Sequence, residues 1–105
     1  MNNPSEKTTA APGPHENTRQ KIAELISAAL QVESIAVIDN SHLHVGHEGA
    51  KSGGGHFAVE LVAPEFTDVS RIKRHQMVYR IVNALIDDQS IHALEIEAKS
   101  PQEVL

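Results

Sequence analysis

Four of the seven histidines and five of the six glycines fall in one run, SHLHVGHEGAKSGGGHF, residues 41–57. Neutral imidazole is a ligand for borderline transition metals, so this density raises coordination chemistry first. His42 and His44 are two apart and would share a side of an extended chain. His47 lies beyond Gly46, free to point elsewhere. The chain has no cysteine. A disulfide framework and a thiol nucleophile are therefore excluded, and a metal site built from this chain alone must use nitrogen and oxygen donors. The alternative is a surface loop with incidental imidazoles.

Other chemistries find less support. Serine, histidine and aspartate meet in DNSH, residues 39–42, but no nucleophile has a recognisable setting, so the chain reads as a non-enzyme. SGGG has neither the G-x-x-x-x-G-K-[ST] pattern nor the strand–glycine–helix order of a phosphate cradle, which rules out a nucleotide site. The net charge is −5 and the aromatics are Phe57, Phe66 and Tyr79 only, against a broad basic, base-stacking surface.

The elements that must position these histidines can be read from periodicity. Residues 1–16, MNNPSEKTTAAPGPHE, carry three prolines and no large aliphatic after Met1, so they read as a disordered tail before a single domain over 17–105. The tail lacks the apolar core of a secretory signal and the arginines of an organelle presequence. No run approaches the roughly 18 apolar residues of a membrane span, so a cytoplasmic protein is expected.

Residues 18–31 place Ile22, Leu25, Ile26, Ala29 and Leu30 on one helical stripe, with Asn17 or Thr18 as N-cap. SIAVID (34–39) and HFAVELV (56–62) are β-branched or alternating and predict strands. A second helix is expected from about Ser70 to Ile86, with Ile72, Val78, Tyr79, Val82, Leu85 and Ile86 on one face. HALEIEA (92–98) alternates Leu94 and Ile96 inward against Glu95 and Glu97 outward. The fold class is α+β: helix, strand, strand, helix, strand, with a three-stranded mixed sheet and both helices on one face.

The first two strands are sequential and should pair antiparallel. The helix over 70–86 is roughly 25 Å long and a seven-residue strand roughly 23 Å. That helix can carry the chain the whole way back, so the third strand should run parallel to the second. The end of strand one and the starts of strands two and three then share one rim of the sheet. The 41–55 loop hangs there, and His56 and His92 open their strands there. The loop exceeds the 2–5 residues usual in a hairpin, and loops of this length are commonly functional.

His56 is read as a structural residue that hydrogen-bonds the loop. His75, three residues after Ile72, is expected to be a partly buried core histidine. Arg71, Lys73, Arg74 and Arg80 make the second helix locally basic. They form either a solvated face or a docking surface for an acidic partner or a phosphate backbone, with Lys73, Arg74 and Arg80 the candidate contact residues.

Taken together, GGGHFAVELVAPEF, SRIKRHQMVY and IHALEIEAKSPQE resemble the BolA family, over residues 19 to about 103. The combination is specific: HF opening a strand, F-x-x-x-S leading into RH-x-x-VY, and HAL opening the last strand. The family fold, a variant of the class II KH domain, has the element order deduced above. Two positions depart from the family pattern. Asp68 stands where glycine is usual, and Gln76 replaces the second arginine of RHR.

The resemblance implies an adaptor in iron–sulfur and iron homeostasis that forms a heterodimer with a monothiol glutaredoxin. The two would share a [2Fe–2S] cluster, completed by glutathione. The implied ligands are His47, nine residues before the HF histidine, and His92 of HAL; His42 and His44 are additional candidates. Neutral nitrogens in place of two thiolates would raise the cluster's potential, and imidazole ligation is acid-labile. No cofactor is expected on the isolated chain. The alternative from the same resemblance is a KH-like DNA-binding transcriptional regulator, with weak DNA binding through the basic helix. A loop chelator of Zn²⁺ or Cu²⁺, using His42 and His44 as much as His47, is the third reading.

Overall fold

The computed structural model describes residues 13–41 and 53–105. Helix α1 spans Glu16–Ala29, β1 Ser34–Asp39, β2 Gly55–Val62, α2 Arg71–Ile81, α3 Asn83–Asp87 and β3 Ile91–Lys99. Single 3₁₀ turns occupy Pro64–Phe66 and Pro101–Val104. The sheet order is β1–β2–β3, with β1 antiparallel and β3 parallel to β2. This is the α+β arrangement with a mixed sheet that the pattern predicts.

Alternation along β2 explains the layering. Phe57, Val59 and Leu61 are buried, while His56, Ala58 and Glu60 lie on the opposite face. The buried set meets Ile22 and Ile26 of α1, Val78 of α2, Val82 and Leu85 in one apolar core, closed below by Phe66. On β3, Leu94 is buried and Glu95 and Glu97 are exposed, so the helix-free face of the sheet is wet. No helix among the described residues is long and apolar enough to cross a membrane.

The first helix starts earlier than its apolar stripe suggests. His15, not Asn17 or Thr18, is the N-cap, and it makes no side-chain cap bond. Instead Glu16 sits in the first turn, where a carboxylate favours the exposed N–H groups, and pairs with Arg19. Of the tail expected over 1–16, residues 1–12 lie outside the described residues, whereas Glu16 is helical and the His15 ring meets Phe57 edge-on, 6.1 Å between centroids.

The second helix differs in two ways from the sequence reading. It breaks at Val82 (φ −101°, ψ 15°) and resumes as α3, rather than running unbroken from 70 to 86. Its start is as expected, with Ser70 Oγ accepting the N–H of Lys73 at 3.2 Å. Its buried face is also rotated. Val78, Val82 and Leu85 are buried as predicted, but Ile72 is 72% exposed and His75 is exposed rather than part of the core. Six residues at 3.6 per turn put Val78 about 240° round from Ile72, so the two cannot share a face.

Arg74 takes the inner place instead, at 8% exposure. Its guanidinium donates to the carbonyls of Val69 (2.8 Å) and Ala98 (2.8 Å) and to Glu103 (2.7 Å), and lies 5.9 Å from the centroid of the Phe66 ring. A buried charge is tolerable when it is paired and hydrogen-bonded in this way. Arg74 therefore ties α2 to the end of β3 and the last turn. It does not lie on the outer face with Lys73 and Arg80, where the sequence reading put it.

Candidate metal centre

The rim where β1 ends and β2 and β3 begin is built by short-range bonds. Asp39 accepts the N–H of Ser41 at 2.9 Å, and Ser41 Oγ accepts the N–H of His56 at 3.0 Å. The His56 carbonyl accepts from Asn40 at 2.8 Å, and the Ser90 carbonyl accepts from Gly55 at 3.0 Å. The three chain segments are thus stitched together at the predicted convergence point.

His92 owes its position to a break in the ladder. Gly55 pairs with Ile91 but His56 pairs with Ala93, so His92 is one residue in excess. Ile91 and Leu94 are both buried although they are three apart, which a strict period of two forbids. The extra residue resolves the conflict, and it turns the His92 side chain to the exposed side.

Space for it is made by Gly54. A Cβ there would lie 2.9 Å from both His92 Cβ and the Gln89 carbonyl oxygen. The turn into β3 has Gln89 at φ 66°, in left-handed backbone, and Asp88 accepts the N–H of Ser90 at 2.8 Å. Hydrogen bonds from the Ser90 hydroxyl and N–H hold the Asp88 carboxyl below its ordinary range.

The His56 ring, half-buried on the helix-free face, lies beside His92. The centroids are 5.0 Å apart and the planes tilted by 41°. The sequence reading gives His56 a structural part at the loop, and its backbone has one; the nearness of its ring to His92 goes beyond that reading. The signal was a histidine near the start of each of two parallel neighbouring strands, obscured by the unpredicted bulge.

His42, His44 and His47 lie outside the described residues. The segment that contains them leaves the rim at Ser41 and returns at Gly53, beside Gly54 and His92. Among the described residues, no group of three or more His, Cys, Asp or Glu could hold a metal ion. The rim thus presents two imidazoles and needs further donors to complete a coordination sphere. Lys73 and Arg80 are exposed on α2, a separate feature of the surface.

The sequence and the fold agree with one family. Its model, described as BolA-like protein, matches residues 26–103. The chain belongs to the BolA family. Within it, the chain is similar to the chloroplastic protein BOLA1 of Arabidopsis thaliana, 33% identical over 101 residues. The alignment covers 93% of this chain and 62% of that protein, so the chain spans less than two thirds of that relative's length. It is 32% identical over 85 residues to the DNA-binding transcriptional regulator BolA of Haemophilus influenzae, covering 81% and 79% of the two chains. Among solved structures, the BolA domain of SufE1 from Arabidopsis thaliana superposes with a TM-score of 0.74 at 30% identity, covering 90% of this chain and 99% of that one. The departure at Asp68 from the BolA pattern has a counterpart in the backbone: its φ is 61°, the left-handed region that glycine enters freely.

Proposed function

We propose that this BolA-family chain is a non-catalytic adaptor in iron–sulfur or iron homeostasis. It binds a monothiol glutaredoxin and holds one side of a shared [2Fe–2S] cluster through His92 and His47. The observation that carries this is the presentation of His92: a ladder irregularity and an obligatory close approach by Gly54 turn an imidazole outward at the rim where the histidine-bearing segment begins and ends.

The donor set suits a shared group. A [2Fe–2S] cluster takes four protein or small-molecule ligands, commonly thiolates, with two histidines replacing two cysteines in some centres. This chain has no cysteine, so any thiolate ligand must come from elsewhere. A glutaredoxin cysteine and a glutathione thiolate would supply them. When bound, the cluster would bring electron storage or a transferable iron–sulfur unit; the chain's own part is to offer nitrogen donors.

The test is to mix the protein with a monothiol glutaredoxin, glutathione, iron and sulfide, and to record visible absorption and circular dichroism. The expected result is a signal distinct from that of glutaredoxin alone, lost in His92→Ala and weakened in His47→Ala. Wild-type spectra from both variants would overturn the ligand assignment.

A second reading, a DNA-binding transcriptional regulator, is favoured by the name of the Haemophilus relative and by exposed Arg71, Lys73 and Arg80 on α2. Arg74 is committed to Glu103 and leaves that surface poorer. A duplex DNA titration at two salt concentrations tests it. Real phosphate contacts give a steep salt dependence, reduced by about one unit of slope in Lys73→Ala or Arg80→Ala. Weak binding with a flat salt response would end this reading.

A further inference from the structure

We propose that His56 and His92 together form a binding site for a single divalent transition-metal ion of the Zn²⁺ class, which the chain takes up without a partner. The inference uses His92, as the cluster reading does, but depends on neither the glutaredoxin nor the 42–52 segment.

Geometry comes first. Imidazole nitrogens stand about 2.0–2.1 Å from a tetrahedral zinc ion, which places the ring centres of two such ligands about 5 Å apart. The His56 and His92 centroids are separated by 5.0 Å and tilted by 41°. The two rings therefore already stand at the spacing that a shared ion requires.

Both residues are also held from behind. The N–H and carbonyl of His56 are bonded to Ser41 and Asn40, at 3.0 and 2.8 Å. His92 is fixed by the extra residue in β3 and by its close approach to Gly54. Ligands held on rigid strands lose little freedom when an ion arrives, which favours binding. His92 is exposed, so the ion can enter and its remaining positions can be filled by water or by a donor from another molecule.

Histidine pairs at the start of adjacent strands need a reason to meet. A regular ladder cannot bury both Ile91 and Leu94; the bulge that allows it also inserts His92 next to the start of β2, where His56 stands. Bulges often re-aim side chains at functional sites.

The experiment titrates the isolated full chain with Zn²⁺ by calorimetry while following the histidine ring signals by NMR. Zinc should bind in a one-to-one ratio and perturb the ring protons of His56 and His92. His56→Gln and His92→Gln should each weaken binding by about tenfold or more, since losing even an outer-shell partner costs 10–100-fold. The triple variant His42→Ala, His44→Ala, His47→Ala should retain the wild-type affinity. Far-UV circular dichroism checks that each variant is folded, and the wild-type ring shifts stand independently of all of them. Unperturbed His56 ring signals at saturating zinc would overturn the proposal, as would a triple variant that no longer binds. A folded His56→Gln chain that loses zinc yet still forms the glutaredoxin-dependent spectrum would support this site and the cluster reading separately. Loss of that spectrum in His92→Ala alone bears only on the latter.

Discussion

Gly54 and His92 lie so close that a methyl group on the first would stand 2.9 Å from the Cβ of the second. The same methyl would meet the Gln89 carbonyl oxygen at 2.9 Å, so neither neighbour can simply swing aside. His92 is positioned by a residue with no side chain.

Gly54→Ala should therefore displace the start of β3 and cost about 1–3 kcal/mol, the usual range for overpacking. Chemical denaturation gives the stability, and the His92 ring resonances report the displacement. An unshifted His92 and an unchanged midpoint would show that the rim has slack that the contact distances deny.

The pairing of Arg74 with Glu103 predicts a pH dependence. The hydrogen bond from Arg74, helped by the N–H of Ser100, lowers the Glu103 carboxyl from 4.5 to about 2. A carboxyl held below its ordinary value stabilises the fold fully above that value and loses its contribution as pH falls through the folded value. Stability should thus decline from about pH 4.5 toward pH 2. In Glu103→Gln this part of the decline should disappear. Urea midpoints of the two proteins across that window check it; parallel curves would contradict the pairing.

Asp68 carries a left-handed backbone, φ 61°, at a position where the BolA pattern usually has glycine. Relieving the Cβ there should outweigh the freedom glycine gains in the unfolded chain. Asp68→Gly is expected to stabilise by up to about 1 kcal/mol. A rise in the thermal midpoint is the readout, and a clear fall would mean that the aspartate side chain makes a contact worth more than the strain.

The rotated face of α2 separates two aliphatic residues that a sequence reading treats alike. Val78→Ala removes fully buried methyls and should cost about 2 kcal/mol, transfer and cavity together. Ile72→Ala, at 72% exposure, should stay within about 0.5 kcal/mol of wild type. Denaturant midpoints of the two variants test the face assignment directly.

Much of this protein is legible before any coordinates. β1 was delimited at Ser34–Asp39 by its β-branched run, and β2 by strict alternation ending near Pro64. Lengths alone required α2 and its continuation to return the chain so that β3 runs parallel to β2, bringing residues 56 and 92 to one rim. These are local or chain-length properties, and periodicity reports them well. Arg74 is the opposite case. Nothing in RIKRHQ says that one cation of the four on that helix folds inward, because its acceptors lie 5, 24 and 29 positions away, at Val69, Ala98 and Glu103.

The chain by itself determined the α+β order, the apolar faces of its strands and the shared rim, since burial needs periodic side chains and a connection long enough to return. Only the tertiary structure decided which way His92 faces and what stands beside it. That choice rests on a one-residue excess in β3, imposed by two buried residues three apart, and such a register conflict exists only when two strands are laid against each other.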